Sequence, residues 1–351
     1  MNLIPENDIF TTDHRKSIYY SIIKCPDGKI RFYNNQWVGR FKTLMIESND
    51  GVVFDQRLHL VLNRSGASHN FTPFYGKNNK LYAIGGVDNW KFDPAFHGIQ
   101  NQKDFKRVFE NKFRRSSATE NFNYKIHRKL ISNKPAMPHV NGLYLFESAE
   151  GKVWKEVQKE PIITVWNAGY IDAIRNFGKG SEFDGMIGCC WVPEESLYYI
   201  YLRANISPGI RYIQYSTSPD LLNWSEFQLV DIEGYDISKD NYYIPSIFRY
   251  KGKFVGLVPF FDQKGNSCIR VLVSRHGRVF EIRRELFGEK TQSLDGKPKN
   301  ACHAVYGLIE NKSGVIYIYI HHNNLGLKYD EPVRVQRYTV QEKEFDEVVK
   351  C

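Results

Sequence analysis

No apolar stretch in these 351 residues approaches the length needed to cross a bilayer, so no membrane span is expected. The first residues, Met1-Asn2-Leu3-Ile4-Pro5-Glu6-Asn7-Asp8, lack the basic start and apolar core of a secretory signal. Cysteine is sparse, and Cys25, Cys189, Cys190, Cys268, Cys302 and Cys351 form no Cys-x-x-Cys pair and no zinc spacing. Their expected role is small buried filler in a reducing compartment, which points to the cytoplasm. No cofactor and no transition metal is expected. His321-His322 is a poor chelate, because adjacent residues of a strand face opposite sides.

Aromatic residues are plentiful, with 22 Tyr and 23 Phe, and aromatic enrichment favours strands over helices. The net charge of +9 is uneven. Residues 91–139 hold eleven Lys and Arg against four Asp and Glu. Such a segment suits phosphate, anionic glycans or another anion, and equally a solvated insertion with no ligand. Nucleic acid is not the expected partner, because no stacking sheet or recognised module accompanies the charge.

One phrase recurs at strand ends. It reads Glu47-Ser48-Asn49-Asp50-Gly51-Val52-Val53-Phe54, then Glu147-Ser148-Ala149-Glu150-Gly151-Lys152-Val153-Trp154. Ser216 to Trp224, Ser274 to Phe280 and a degenerate Gln341 to Phe345 follow. The aromatic ends are spaced by 100, 70, 56 and 65 residues. A strand-based repeat of this size predicts an all-β fold, a five-bladed β-propeller filling residues 1–351 as one domain. Strands are expected at 17–23, 29–34 and 41–48 in the first blade, and at 69–75, 80–85 and 142–148 in the second. The third has 183–191, 197–203 and 210–216; the fourth runs from 242 to 274, and the fifth from 303 to 340. The long first step implies an insertion at 88–140 in the second blade. It is basic and partly helical, since Phe105, Val108, Phe109 and Phe113 have helical spacing. Residues near the N-terminus are expected to close the ring, because sealing removes exposed sheet edges. The insertion could cover the pocket or mediate a homo-oligomer.

These segments resemble the five-bladed propellers of glycoside hydrolase families 32, 43 and 130, and most of all an uncharacterised family-32-like group. The carrying residues are His69-Asn70-Phe71-Thr72-Pro73-Phe74, Lys80-Leu81-Tyr82-Ala83-Ile84-Gly85-Gly86, Gly142-Leu143-Tyr144, Phe183-Asp184, Tyr198 to Arg203 and the repeat phrases. The resemblance implies a carbohydrate-active enzyme, a glycosidase cleaving an oligosaccharide or anionic glycan at the axial pocket. A glycoside phosphorylase or glycosyltransferase using a phosphate-bearing substrate is the alternative. A non-catalytic glycan-binding or protein-interaction propeller is the other. The family-32 signatures Asn-Asp-Pro-Asn-Gly, Arg-Asp-Pro and Glu-Cys are missing, so its acids cannot be carried over.

Glycoside cleavage needs one carboxylic acid and one carboxylate. Asp184 precedes an apolar strand, and Gly185 after it leaves room for a ligand. Glu182 lies two residues earlier and would share its strand face, although both also suit a turn. Asp13 offers the equivalent group in the first blade, with Asp8 as its substitute, and Asp240 offers one in the fourth. His69, Asn70, Arg175, Arg203 and His303 are the candidate polar contacts to substrate; converging basic groups suit phosphate or another anion. Trp166 and Tyr242 lead the aromatic candidates, followed by Tyr243, Tyr170 and Trp90.

Overall fold

The computed structural model describes residues 1–12, 17–37, 41–63, 67–91, 141–163, 179–207, 210–236, 240–290, 302–323 and 333–350. The chain begins with β1 (Ile4–Thr12) and then builds five sheets in sequence order. Blade I comprises β2 (Ser17–Lys24), β3 (Ile30–Trp37), β4 (Phe41–Ser48) and β5 (Phe54–Leu62). Blade II comprises β6 (Thr72–Tyr75), β7 (Leu81–Lys91), β8 (Asn141–Ser148), β9 (Lys155–Glu156) and β10 (Lys179–Glu182). Blade III has β11 (Gly188–Val192), β12 (Leu197–Ser207), β13 (Ile210–Ser218) and β14 (Gln228–Leu229). Blade IV has β15 (Asp231–Ile232), β16 (Asp240–Tyr242), β17 (Ile247–Tyr250), β18 (Lys253–Asp262), β19 (Asn266–Ser274) and β20 (Val279–Lys290). Blade V has β21 (His303–Ala304), β22 (Ile309–Asn311), β23 (Val315–His322) and β24 (Val333–Gln341), followed by helix α1 (Glu342–Val348). The N-terminal β1 pairs antiparallel with β24, so the first residues complete the last blade and close the ring as expected.

The repeat phrase forms the turns after β4, β8, β13 and β19, in blades I to IV. Its serine works both ways: Ser48 Oγ accepts from the Gly51 N–H (2.9 Å) and donates to the Val53 carbonyl (2.6 Å). Ser148 repeats both bonds with Gly151 and Val153 (2.8 and 2.6 Å). The glycines adopt a left-handed backbone, with φ of +76° at Gly51, +83° at Gly151 and +72° at Gly277. Each glycine carbonyl then accepts a hydrogen bond from a tyrosine on the preceding blade. Tyr319 reaches Gly51 (2.8 Å), Tyr33 reaches Gly151 (2.5 Å) and Tyr201 reaches Gly277 (2.8 Å). The phrase is therefore an inter-blade latch as well as a turn. In its fifth, degenerate copy the turn is replaced by α1, whose buried Phe345 meets the Tyr250 ring edge-on at 5.0 Å.

Removing one latch hydroxyl, as in Tyr201→Phe, is expected to cost about 1–2 kcal/mol, since a buried carbonyl loses its donor. Gly277→Ala is expected to cost about 2–5 kcal/mol, through left-handed strain and overpacking together. Its new Cβ would lie 2.4 Å from Tyr201 Oη and 2.7 Å from Phe254 Cζ. Gly28→Ala is the control: its φ is +80°, but nothing lies within 4 Å. Denaturant midpoints of the three variants measure the difference, and equal losses at Gly28 and Gly277 would rule out the packing contribution.

Three sequence expectations change. The strand expected at 69–75 starts only at Thr72, and His69 lies in the turn before it. The strand expected at 183–191 starts only at Gly188, and Lys179 to Glu182 pair instead with Lys91 to Asp88 of β7. Residues 88–91 continue β7, so the expected insertion loses its first four positions. Residues 92–140, including the expected helix, lie outside the described residues.

Candidate active site

The inner strands all begin at one end of the ring, and each blade delivers a side chain there. Blade I gives Tyr19, blade II His69 and Asn70, blade III Asp184, blade IV Tyr243 and blade V His303. Tyr19 Oη donates to Asp184 Oδ1 (2.9 Å) and shares a hydrogen bond with Tyr243 Oη (3.2 Å). Blade I is not a ring neighbour of blade III or IV, so these contacts span the axis. His69 Nε2 lies 3.5 Å from Asp184 Oδ1, and Arg203 Nη1 lies 3.6 Å from Oδ2. The Tyr243 ring has the Arg203 and Arg211 guanidinium carbons 5.8 and 5.2 Å from its centroid. His303 approaches the same ring at 5.8 Å. Another axial contact joins blades V and III, where Tyr306 Oη donates to the Cys189 carbonyl (2.7 Å).

The backbone is bent to make this cluster. Tyr19, Asn70 and Phe183 all have left-handed φ, at 57°, 58° and 63°. For bulky Tyr and Phe this is a genuine outlier, of the kind that persists only where surrounding contacts impose it. The strand register slips between Ile18 and Ser21, a bulge that accommodates Tyr19. Asn70 Nδ2 donates to the carbonyls of Gly86 (3.0 Å) and Phe183, and so fixes the peptide that precedes Asp184. Gly86 N–H donates to the His69 carbonyl (2.6 Å), which ties the His69–Asn70 corner to β7.

Charge follows from these contacts. Burial pushes the Asp184 carboxyl up, but Arg203, His69, the Tyr19 hydroxyl and Arg211 outweigh it, so the group lies below the ordinary carboxylate range. Burial pushes His69 down, and Asp184 only partly offsets this, so the imidazole is neutral at pH 7. Burial also lowers His303, to about 3. Tyr19 is raised by burial and by Asp184, and it stays a hydroxyl donor. The site is thus an ionised carboxylate, a third exposed, held by donors from three blades.

The structure brings together Asp184, His69, Asn70, Arg203 and His303 from the sequence candidates. The strand expected to hold both Glu182 and Asp184 does not form: β10 ends at Glu182, and the left-handed Phe183 separates it from Asp184. Asp13, Arg175, Trp166 and Tyr170 lie outside the described residues, as do the side chains of Glu182 and Trp90. Tyr242 is not at the hub. It is fully buried among Tyr212, Tyr235 and Phe260, where its hydroxyl accepts from Arg270 (2.7 Å). Its neighbour Tyr243 is the one on the axis. Asp8 pairs with Arg334 on the outermost strand of blade V, and Asp240 accepts from the Asp236 N–H in a turn. Tyr19 and Arg211 belong to the site and were not among the sequence candidates.

Cys25, Cys189, Cys190, Cys268 and Cys302 are all free and buried. Among the described residues no group of three metal-ligating side chains occurs, and no helix is long and apolar enough to cross a membrane.

No family model and no curated protein matches the chain by sequence. Solved structures match over nearly its whole length. An N-acetylgalactosamine deacetylase from F. plautii, in complex with blood group B trisaccharide, gives a TM-score of 0.56 at 12% identity, covering 99% of this chain and 97% of that one. A protein of unknown function from Dyadobacter fermentans gives 0.53 at 11% identity, covering 97% and 99%. The GH93 α-L-arabinofuranosidase of Fusarium graminearum, in complex with arabinobiose, gives 0.50 at 10% identity, covering 97% and 99%. At this identity the likeness is one of fold: the chain is a five-bladed β-propeller, and its structural neighbours include enzymes named for work on carbohydrates.

Proposed function

We propose that this protein is a carbohydrate-active enzyme that cleaves a glycosidic bond of an oligosaccharide in the axial pocket, with Asp184 as its essential carboxylate. The observation that carries the reading is the convergence of Tyr19, His69 and Arg203 on one ionised Asp184 at the hub, with Tyr243 bonded to the Tyr19 hydroxyl. A carboxylate held in this state can take a proton from water, attack the anomeric carbon or stabilise a developing oxocarbenium ion. It cannot be the proton donor to the leaving oxygen near neutral pH. Glu182 and Asp13 are the proposed sources of that proton. The resemblance to families 32, 43 and 130 supports a sugar substrate, as an analogy of fold.

Phosphorolysis or glycosyl transfer is the second reading, favoured by the basic groups Arg203, Arg211 and His69 around Asp184. It would give Asp184 the role of general acid, and the lowered proton affinity of that carboxyl weighs against it. Incubation with a panel of oligosaccharides, with and without inorganic phosphate, separates the readings. Released reducing sugar without phosphate supports hydrolysis, and release of a sugar phosphate supports phosphorolysis. Tight glycan binding with neither product would leave a binding module in place of an enzyme.

A further inference from the structure

We propose that the ligand of the axial site carries an oxyanion, a carboxylate or a phosphate, and that Arg211 is the side chain that receives it. The inference rests on the axial-pocket reading and adds the charge of the substrate to it.

Six other described arginines are at least partly shielded from solvent: Arg31, Arg203, Arg249, Arg270, Arg334 and Arg337. Each has an acidic partner, respectively Asp27 with Glu47, Asp184, Glu194, Glu285, Asp8 and Glu6. Arg211 is likewise only partly exposed, yet it makes no ion pair with an acidic side chain among the described residues; the carboxylate that feels its charge, Asp184, is already contacted by Arg203. Two guanidiniums facing one carboxylate leave an excess of positive charge, and an anionic ligand would balance it. The placement of Arg211 points to the hub, since it lies over the Tyr243 ring at 5.2 Å and lowers the proton affinity of Asp184. Contact with a ring face occupies none of the guanidinium's five N–H donors. Those donors match the geometry of a carboxylate or phosphate.

The surroundings hold Arg211 without using its charge. Its backbone N–H donates to Asn241 Oδ1 (2.9 Å), and its strand position is opposite Asn205. The buried Asn241 Nδ2 has no acceptor among the described residues and is a second unfilled donor beside Arg211. Arg203, by contrast, is engaged by Asp184. The two arginines near the Tyr243 ring therefore divide the work: one holds the protein's carboxylate, the other the ligand's anion.

The test is calorimetric titration of the whole chain at low ionic strength with inorganic phosphate, glucuronate and glucose. At least one anion should bind more tightly than glucose. Arg211→Met should weaken that anion by about tenfold or more, the loss expected for a charge-assisted pair, and Arg211→Lys should recover part of it. Thermal midpoints of both variants check that they fold. Binding of phosphate alone identifies a free phosphate co-substrate, binding of glucuronate alone an acidic sugar, and either supports the proposal. Absence of anion binding, or equal anion affinity in the parent and Arg211→Met, overturns it. Oligosaccharide binding by the Arg211→Met chain keeps the two readings apart. If it persists where no anion binds, only the anion proposal has failed. If anions bind through Arg211 and no oligosaccharide is bound or cut, only the glycosidase reading has failed.

Discussion

Replacing Asp184 by asparagine is expected to lower oligosaccharide turnover by roughly 10²–10⁴-fold while the chain still folds, the range for loss of a positioned acid–base group. The substitution keeps the size of the side chain, and the Tyr19 hydroxyl can still donate to an amide oxygen. What disappears is the negative charge that faces Arg203, which is only 5% exposed. Loss of that partner should cost about 1–3 kcal/mol, a fraction of total stability. Asp184→Ala should cost more stability and no less activity, because Tyr19 also loses its acceptor. Asp184 should produce no acid limb within the usual carboxylate range, because its carboxyl stays ionised there; loss of turnover on acidification should instead follow unfolding. Turnover of the asparagine variant at the parental rate would remove Asp184 from the chemistry.

Acidification is expected to destabilise the protein before its carboxylates titrate. His69, His303 and His321 are only 3%, 6% and 2% exposed. Burial holds all three below the usual imidazole range. Asp184 opposes this at His69 without overcoming it, and His303 and His322 reinforce it at His321. In the unfolded chain each takes a proton near pH 6.5, by ordinary imidazole behaviour. Below that pH the unfolded state binds protons that the folded state refuses, so stability falls as the pH drops. The loss is about 1.4 kcal/mol per pH unit for each histidine, until its folded value is reached. Three such groups together remove up to about 4 kcal/mol per unit, against a total of roughly 5–15 kcal/mol. Thermal midpoints measured from about pH 7.5 downward give the slope, and His303→Gln should reduce it by about a third. A midpoint that stays flat to about pH 5 would show that these imidazoles are protonated in the folded state.

Blade order was legible because its signals are short-range. Ser48, Ser148 and Ser274 each close a turn onto a glycine three residues later, and such turn chemistry is written in neighbouring residues. Asp184 was legible as an acid ahead of an apolar strand; His69, expected to start a strand, lies in the turn that leads into β6. Tyr19 left a fainter trace: Tyr19 and Tyr20 are both buried, which breaks the alternation of a plain strand and marks a bulge. Arg211 could have been reached from the hairpin that carries Arg203 and Arg211 on its two arms. Tyr242 and Tyr243 could not be told apart, because which of two adjacent residues faces the axis depends on where β16 ends. The extended reading of 183–191 failed for a long-range reason: Phe183 is held left-handed by an amide more than a hundred residues away.

By itself the amino-acid order determined the number of blades, their turns and the recruitment of the first residues to the last sheet. Hydrogen bonds of turns and the two-residue period of strands are properties of adjacent positions. Only the closed ring decided what surrounds Asp184. Its partners come from positions 19, 69 and 203, and their distances to one carboxylate exist only once the blades have turned full circle. The same closure sets the charge state of the site, because burial and the neighbouring guanidinium act through space rather than along the chain.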